Sequence, residues 1–145
     1  MWHQIVVGSA LVVATTLAHG ACTVVAMRSL SRLGRAYRTH IGRGLVISVL
    51  VLLMFLVSVA YATLWAYAYI QVGAISDPQT AMYFSMVTFT TLGYGDVTLG
   101  TDWRLLASFE AANGTIMFGW TTALVVAYIQ RMIATLQGQH DADKT

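Results

Sequence analysis

The residues with the most chemical meaning lie in one stretch, Thr90-Thr91-Leu92-Gly93-Tyr94-Gly95-Asp96. Two glycines alternate here with bulkier residues, and glycine is the residue that enters the left-handed backbone region at little cost. A chain that alternates between right- and left-handed regions turns successive carbonyls toward one side. Such a row of oxygens can replace the hydration shell of a small cation. The carbonyls of Thr91, Leu92, Gly93 and Tyr94, with the Thr91 hydroxyl at the inner end, are the oxygens one chain would give. One chain cannot close the cage, so a single loop per chain implies several copies around a closed symmetry axis. Taken alone, Gly-Tyr-Gly also suits a tight turn. The setting between apolar runs, after Thr88-Phe89-Thr90-Thr91, is what favours the ion-binding reading.

The elements that must position this loop are membrane helices. The chain is 57% hydrophobic and 10% charged, against roughly 25% charged residues in soluble domains. Its 145 residues accommodate three spans and a reentrant segment, and leave no room for a separate ligand-binding domain. Residues 5–27 form a first span of about 34 Å, with no charge other than a possible one on His19. The arginines follow this span and no Lys or Arg precedes it, so it reads as a retained helix and not a cleaved signal. His19 is a candidate proton sensor or metal ligand, with a neutral helix contact as the plainer alternative. The other histidines, His3, His40 and His140, carry no pattern, and the one cysteine, Cys22, reads as a packing residue.

Five of the eight Lys and Arg residues lie in segment 28–43. On a helical wheel Arg28, Arg32, Arg35 and Arg38 share one side, opposite Leu30, Leu33, Tyr37 and Ile41. Such a segment suits the inner membrane surface, with its arginines near anionic headgroups. A voltage sensor would need these charges inside an apolar span facing countercharges, and no acidic residue precedes Asp77. By the positive-inside rule the arginine segment is cytoplasmic, which puts the N-terminus and the 76–102 region outside and the C-terminus inside. The expected location is an integral position in a plasma membrane of the bacterial inner-membrane kind.

Residues 45–72 form a second span of about 42 Å, long enough to tilt, with Trp65, Tyr67 and Tyr69 as an aromatic belt. Ser48, Ser58 and Thr63 are easily satisfied by their own helix. Asp77 and Pro78 start a short helix over 78–89, Asp77 as N-cap and Pro78 at the first helical position. The negative end of its dipole points toward the loop and favours a cation there. Trp103 and Arg104 mark the interface ahead of a third span over 105–133. The 134–145 tail is polar and is expected to fray.

From about residue 77 to 131 the chain resembles the pore domain of tetrameric potassium channels. Their filter signature, TVGYG, differs from TLGYG only by Leu92. The resemblance implies an all-α membrane protein with three transmembrane helices, a reentrant pore helix and a filter loop at residues 91–95, assembled as a homotetramer. The 44–133 region would be the pore domain, with outer, pore and inner helices in that order. K+ would be the permeant ion, with no cofactor, no catalytic residue and no nucleic acid among its partners.

The same resemblance assigns roles. Tyr83 and Phe84 would form an aromatic cuff around the filter, and Thr88 would pack behind it. Some family members pair the aspartate after the filter with a pore-helix glutamate. That position is Val87 here, which leaves Asp96 without its usual partner, though a ring of four Asp96 carboxylates would still concentrate cations at the mouth. Gly114 falls at the family's hinge, with close helix packing as the equal alternative. Thr115, Phe118, Thr122 and Val126 would face a central cavity, and Thr122, Ala123 and Val126 would narrow into a hydrophobic gate.

Glu110 and Asn113 are less expected, since a carboxylate inside a membrane helix is costly unless paired or hydrated. Glu110 is expected behind the filter, hydrogen-bonded to the pore helix or the filter backing. A satisfied packing role and a coupling of pH to the filter are both open to it.

The residues also bear on three rival functions. Gly93-Tyr94-Gly95-Asp96 fits the G-x-G-D pattern of intramembrane aspartyl proteases, but those need two aspartates within spans, and every aspartate here lies in a loop or tail. Transporters resembling linked channel pores carry four loops per chain. A nonconducting sensor or assembly subunit would share these letters without the conducting geometry.

Overall fold

The computed structural model describes the backbone of residues 2–32 and 40–142, and side chains at 2–29 and 41–134. The described residues form four helices: α1 (Trp2–Arg32), α2 (His40–Gln71), α3 (Pro78–Phe89) and α4 (Arg104–Ala142). Three of them contain stretches long and apolar enough to cross a membrane, Trp2–Ser29, Ile41–Gln71 and Arg104–Ala134. With 12 residues and a length of about 18 Å, α3 is too short to do so.

The helices run further than their apolar stretches suggest. α1 continues past residue 27 to Arg32, α2 starts at His40 rather than 45, and α4 runs through the polar tail to Ala142. Apolarity sets where a helix leaves the membrane, whereas its hydrogen bonds end only at a breaker, and neither the end of α1 nor that of α4 contains proline. Of the basic segment, the Arg28 side chain is exposed. The Arg32 side chain and all of Arg35 and Arg38 lie outside the described residues.

α3 sits between α2 and α4 over an aromatic core that includes Tyr61, Trp65, Tyr69, Phe84, Phe89 and Met117. Here the expected aromatic belt divides. Trp65 and Tyr69 are fully buried, while Tyr67 is 59% exposed. Residues 65 and 69 are one turn apart and share the face turned to α3, whereas 67 points away from it. Ser58 and Thr63 donate to the Met54 and Val59 carbonyls of their own helix at 3.0 and 2.8 Å.

α1 lies along α4 in parallel. The Leu105 amide donates to Gln4 Oε1 at 3.1 Å, Gly8 faces the Phe109 ring, and Asn113 Nδ2 donates to Thr15 Oγ1 at 2.9 Å. His19 meets Trp120 edge-on, with ring centroids 5.2 Å apart. The start of α1 is therefore level with the start of α4, on the side where the chain returns from the loop. The arginine-based topology requires that same-side relation. The first helix thus braces the third span and not chiefly the second.

Candidate functional site

The site is built on the C-terminal end of α3. At its N-terminus Asp77 Oδ2 accepts from the Thr80 amide at 2.7 Å and the Thr80 hydroxyl at 2.6 Å, with Pro78 at the first helical position. Those bonds hold the Asp77 carboxyl below the usual aspartate range. They satisfy the free first-turn groups, so α3 begins where the sequence placed it.

At the other end the amides of Thr90 and Thr91 donate to the Met86 and Thr88 carbonyls at 3.1 and 2.9 Å. Those of Leu92 and Gly93 both donate to Val87 O, at 2.9 and 3.2 Å. The last carbonyls of the helix are satisfied by the loop that follows. Four consecutive amides are spent on α3, so what this part of the loop offers a ligand is carbonyl oxygen.

Left-handed φ angles recur at every second position: Thr91 at 60°, Gly93 at 55° and Gly95 at 81°, with Leu92 and Tyr94 outside that region. The alternation expected from the two glycines is present and reaches one residue further back. Thr91 is the lone non-glycine at positive φ among the described residues, a strained state for a β-branched side chain. The period of two places residue 91 in step with 93 and 95. The whole stretch from residue 90 to 96 is exposed on the protomer, Leu92 and Tyr94 by 55% and 68%.

Two tyrosine–carboxyl contacts flank α3. On the outer side the Tyr83 hydroxyl donates to Asp96 Oδ2 at 2.7 Å. Asp96 therefore has a partner on α3, the tyrosine at position 83 and not the residue at position 87. That donation holds the Asp96 carboxyl below the usual aspartate range and pushes the Tyr83 phenol up. Beside this pair a cavity of about 350 Å³ separates α3 from the loop and the start of α4, bordered by Tyr83, Thr88, Gly93, Asp96, Arg104 and Ala107 among others. Thr88 thus lies behind the loop. Phe84, which the resemblance groups with Tyr83, is buried and meets Tyr69 edge-on at 5.2 Å.

On the inner side Glu110 is fully buried. Tyr69 Oη, from α2, donates to Glu110 Oε2 at 2.5 Å. Ser85 Oγ, from α3, is in hydrogen-bond contact with Glu110 Oε1 and lies 2.6 Å from the Ala62 carbonyl of α2. The bond expected between Glu110 and the short helix is there, made to Ser85 of α3. Tyr69 as a second partner was missed, because the sequence offered it as an interfacial aromatic.

Gly114 marks the closest approach of α4 to this assembly. A Cβ at this position would sit 1.9 Å from the Phe89 carbonyl oxygen, so only a residue without one lets the two backbones meet. α4 is continuous through it, and close packing is what the geometry displays at this glycine. Beyond it Thr115, Phe118, Thr122, Ala123 and Val126 are all exposed on the protomer. The Thr115 and Thr122 hydroxyls donate to the Ala111 and Phe118 carbonyls, and Phe118 rests edge-on against Phe89 with centroids 5.7 Å apart.

His19 is buried, with no cluster of metal-ligating side chains around it. No group of three or more His, Cys, Asp or Glu residues that could hold a metal occurs among the described residues.

A family model described as "Ion channel" matches residues 48–131, more than half of the chain. The matched region takes in most of α2, all of α3, the loop, and α4 as far as Arg131. Comparison with curated proteins and with solved structures finds no match.

Proposed function

The chain belongs to the ion channel family, and from that premise we propose that it conducts K+ selectively through a pore shared by four copies. The observation that carries this reading is the backbone of residues 91–95. Left-handed residues at every second position, with the preceding amides turned back onto α3, suit a strand whose carbonyls face one axis. In the proposed tetramer, four such strands replace the hydration shell of K+ at the carbonyls of Thr91, Leu92, Gly93 and Tyr94. Leu92 in place of valine is compatible with this, because the oxygen it gives belongs to the backbone.

Exposure supports the assembly. A loop with Leu92 and Tyr94 open on the protomer becomes enclosed once three further copies surround it. The exposed row Thr115, Phe118, Thr122, Ala123 and Val126 would then line the path below, and the four Asp96 carboxylates would ring its outer mouth. Flexing of α4 at Gly114 would open that path. The basic segment from Arg28 to Arg38 would lie on the cytoplasmic leaflet against anionic headgroups.

The test is ion flux from liposomes containing the purified full-length chain. K+ flux well above Na+ flux, abolished by Gly93→Asp, is the expected result. Equal flux of the two ions, or none from protein that elutes as a tetramer, would sink the reading.

A further inference from the structure

Three oxygen–oxygen contacts run in series through the buried site of Glu110: Ala62 O to Ser85 Oγ, Ser85 Oγ to Glu110 Oε1, and Glu110 Oε2 to Tyr69 Oη. Each contact needs one hydrogen between its oxygens, since two lone pairs facing each other at that range repel. Ser85 and Tyr69 own one hydroxyl hydrogen each, and the Ala62 carbonyl owns none. Two hydrogens cannot serve three contacts. We propose that Glu110 carries the third as a neutral carboxylic acid, and that this proton locks α3 to both α2 and α4.

With the proton in place every group is satisfied. The Glu110 O–H donates to Ser85 Oγ, Ser85 donates to the Ala62 carbonyl, and Tyr69 donates to the other carboxyl oxygen. Remove it, and the single Ser85 hydrogen must choose. Donating to the carboxylate leaves the Ser85 oxygen facing the Ala62 carbonyl at 2.6 Å with no hydrogen between them, while donating to Ala62 sets the Ser85 oxygen against an anion. Ala62, Ser85 and Glu110 are all fully buried, so the loss falls on the protein.

The surroundings agree with a neutral group. Tyr69 is the titratable residue that α2 presents to Glu110, and α3 presents Ser85. α1 meets the neighbouring positions of α4 with uncharged Gly8 and Thr15, at Phe109 and Asn113. Among the described residues the side-chain partners of Glu110 are these two hydroxyls, and an anion buried without a cation is expensive. Arg104, on the same helix, gives its Nε–H to the Leu99 carbonyl.

The consequence for conduction rests on the channel reading above. Ser85 lies directly before Met86, Val87 and Thr88, whose carbonyls take the loop amides. Losing its tie to α2 or α4 releases the turn that orients residues 91–95. Raising the pH until Glu110 ionises therefore lowers K+ flux, by about tenfold for one buried hydrogen bond left unmade.

Glu110 is the only glutamate in the chain, so a carboxyl label placed in glutamate reports on it alone. In full-length protein reconstituted in liposomes, infrared or solid-state NMR spectra of glutamate labelled at the carboxyl carbon should show a neutral acid at neutral pH. That signal should convert to carboxylate over the same alkaline interval in which K+ flux falls. Glu110→Gln supplies an N–H to Ser85 and a carbonyl to Tyr69, so its flux should persist and stay flat across that interval. A carboxylate signal at neutral pH, or a Glu110→Gln variant whose flux falls as the wild type's does, overturns the proposal. The wild-type label decides the matter even where the variant fails to assemble. A neutral-acid signal in liposomes without selective K+ flux supports the proton while counting against the channel.

Discussion

Tyr83 with Asp96 and Tyr69 with Glu110 are the same pair of groups, a phenol donating to a carboxyl, placed on two sides of one helix. The first lies at the exposed mouth of the loop, at 2.7 Å; the second is sealed between α2 and α4, at 2.5 Å. Water can replace either partner of the outer pair. At the inner pair, a group left without its partner keeps the full cost of desolvation. The difference assigns them separate work, with the buried contact fixing where α3 sits and the exposed one adjusting charge at the mouth.

The largest expected effect comes from spoiling the approach that encloses the inner pair. Gly114→Ala drives a methyl against the Phe89 carbonyl and should cost about 3 kcal/mol by overpacking. It would be read as a loss of assembled protein and of thermal stability in detergent. Unchanged melting would mean that α4 can move away from α3, and that the inner contact is less confined than it looks.

Next comes the direct contrast. Tyr69→Phe leaves Glu110 Oε2 without its donor and should cost about 2 kcal/mol. Tyr83→Phe, at a site open to water, should leave the melting temperature close to that of the wild type. Equal losses in the two variants would erase the distinction between the pairs.

A control away from both pairs is Thr15→Val, which removes the acceptor of Asn113 between α1 and α4. About 0.6 kcal/mol is expected, the usual size of a hydrogen bond between membrane helices, with K+ over Na+ selectivity unchanged. Altered selectivity would mean that α1 acts on the loop and not only on α4.

The smallest effect is a pH shift at the outer pair. Because the Tyr83 hydroxyl holds Asp96 below its ordinary range, the folded carboxyl releases its proton more readily than the unfolded one. The stability this adds is complete above the ordinary aspartate range and disappears as pH falls through the lowered value. Tyr83→Phe should therefore move the Asp96 titration upward, seen by NMR of the labelled aspartate carboxyl. An unmoved titration would show that backbone donors and not Tyr83 hold the charge.

Much of this was legible in the residues, for reasons of range. Asp77 and Pro78 announce the start of α3 because a cap is settled within one turn of chain. Glycines at 93 and 95 announce alternating backbone because the preference belongs to the residue itself. Long apolar stretches announce spans because the bilayer judges each helix by length and composition. Thr91 at positive φ was harder to read. Its own preference argues against that state, and the bonds that tie its neighbours to α3 override it.

The sequence by itself therefore determined that this is a membrane protein whose loop, from Thr91 to Gly95, follows a short capped helix between two spans. Only the tertiary structure decided the partners. Tyr69 and Glu110 are 41 residues apart, and Tyr83 reaches Asp96 across the end of its own helix. Nothing in either residue type says whether a tyrosine near a membrane boundary will face lipid or turn inward. That choice follows from which face of α2 packs on α3, and in a helix apolar on nearly every side no periodicity records it. The carboxyl of Glu110 could be called buried only after Gly114 had let α4 close over it.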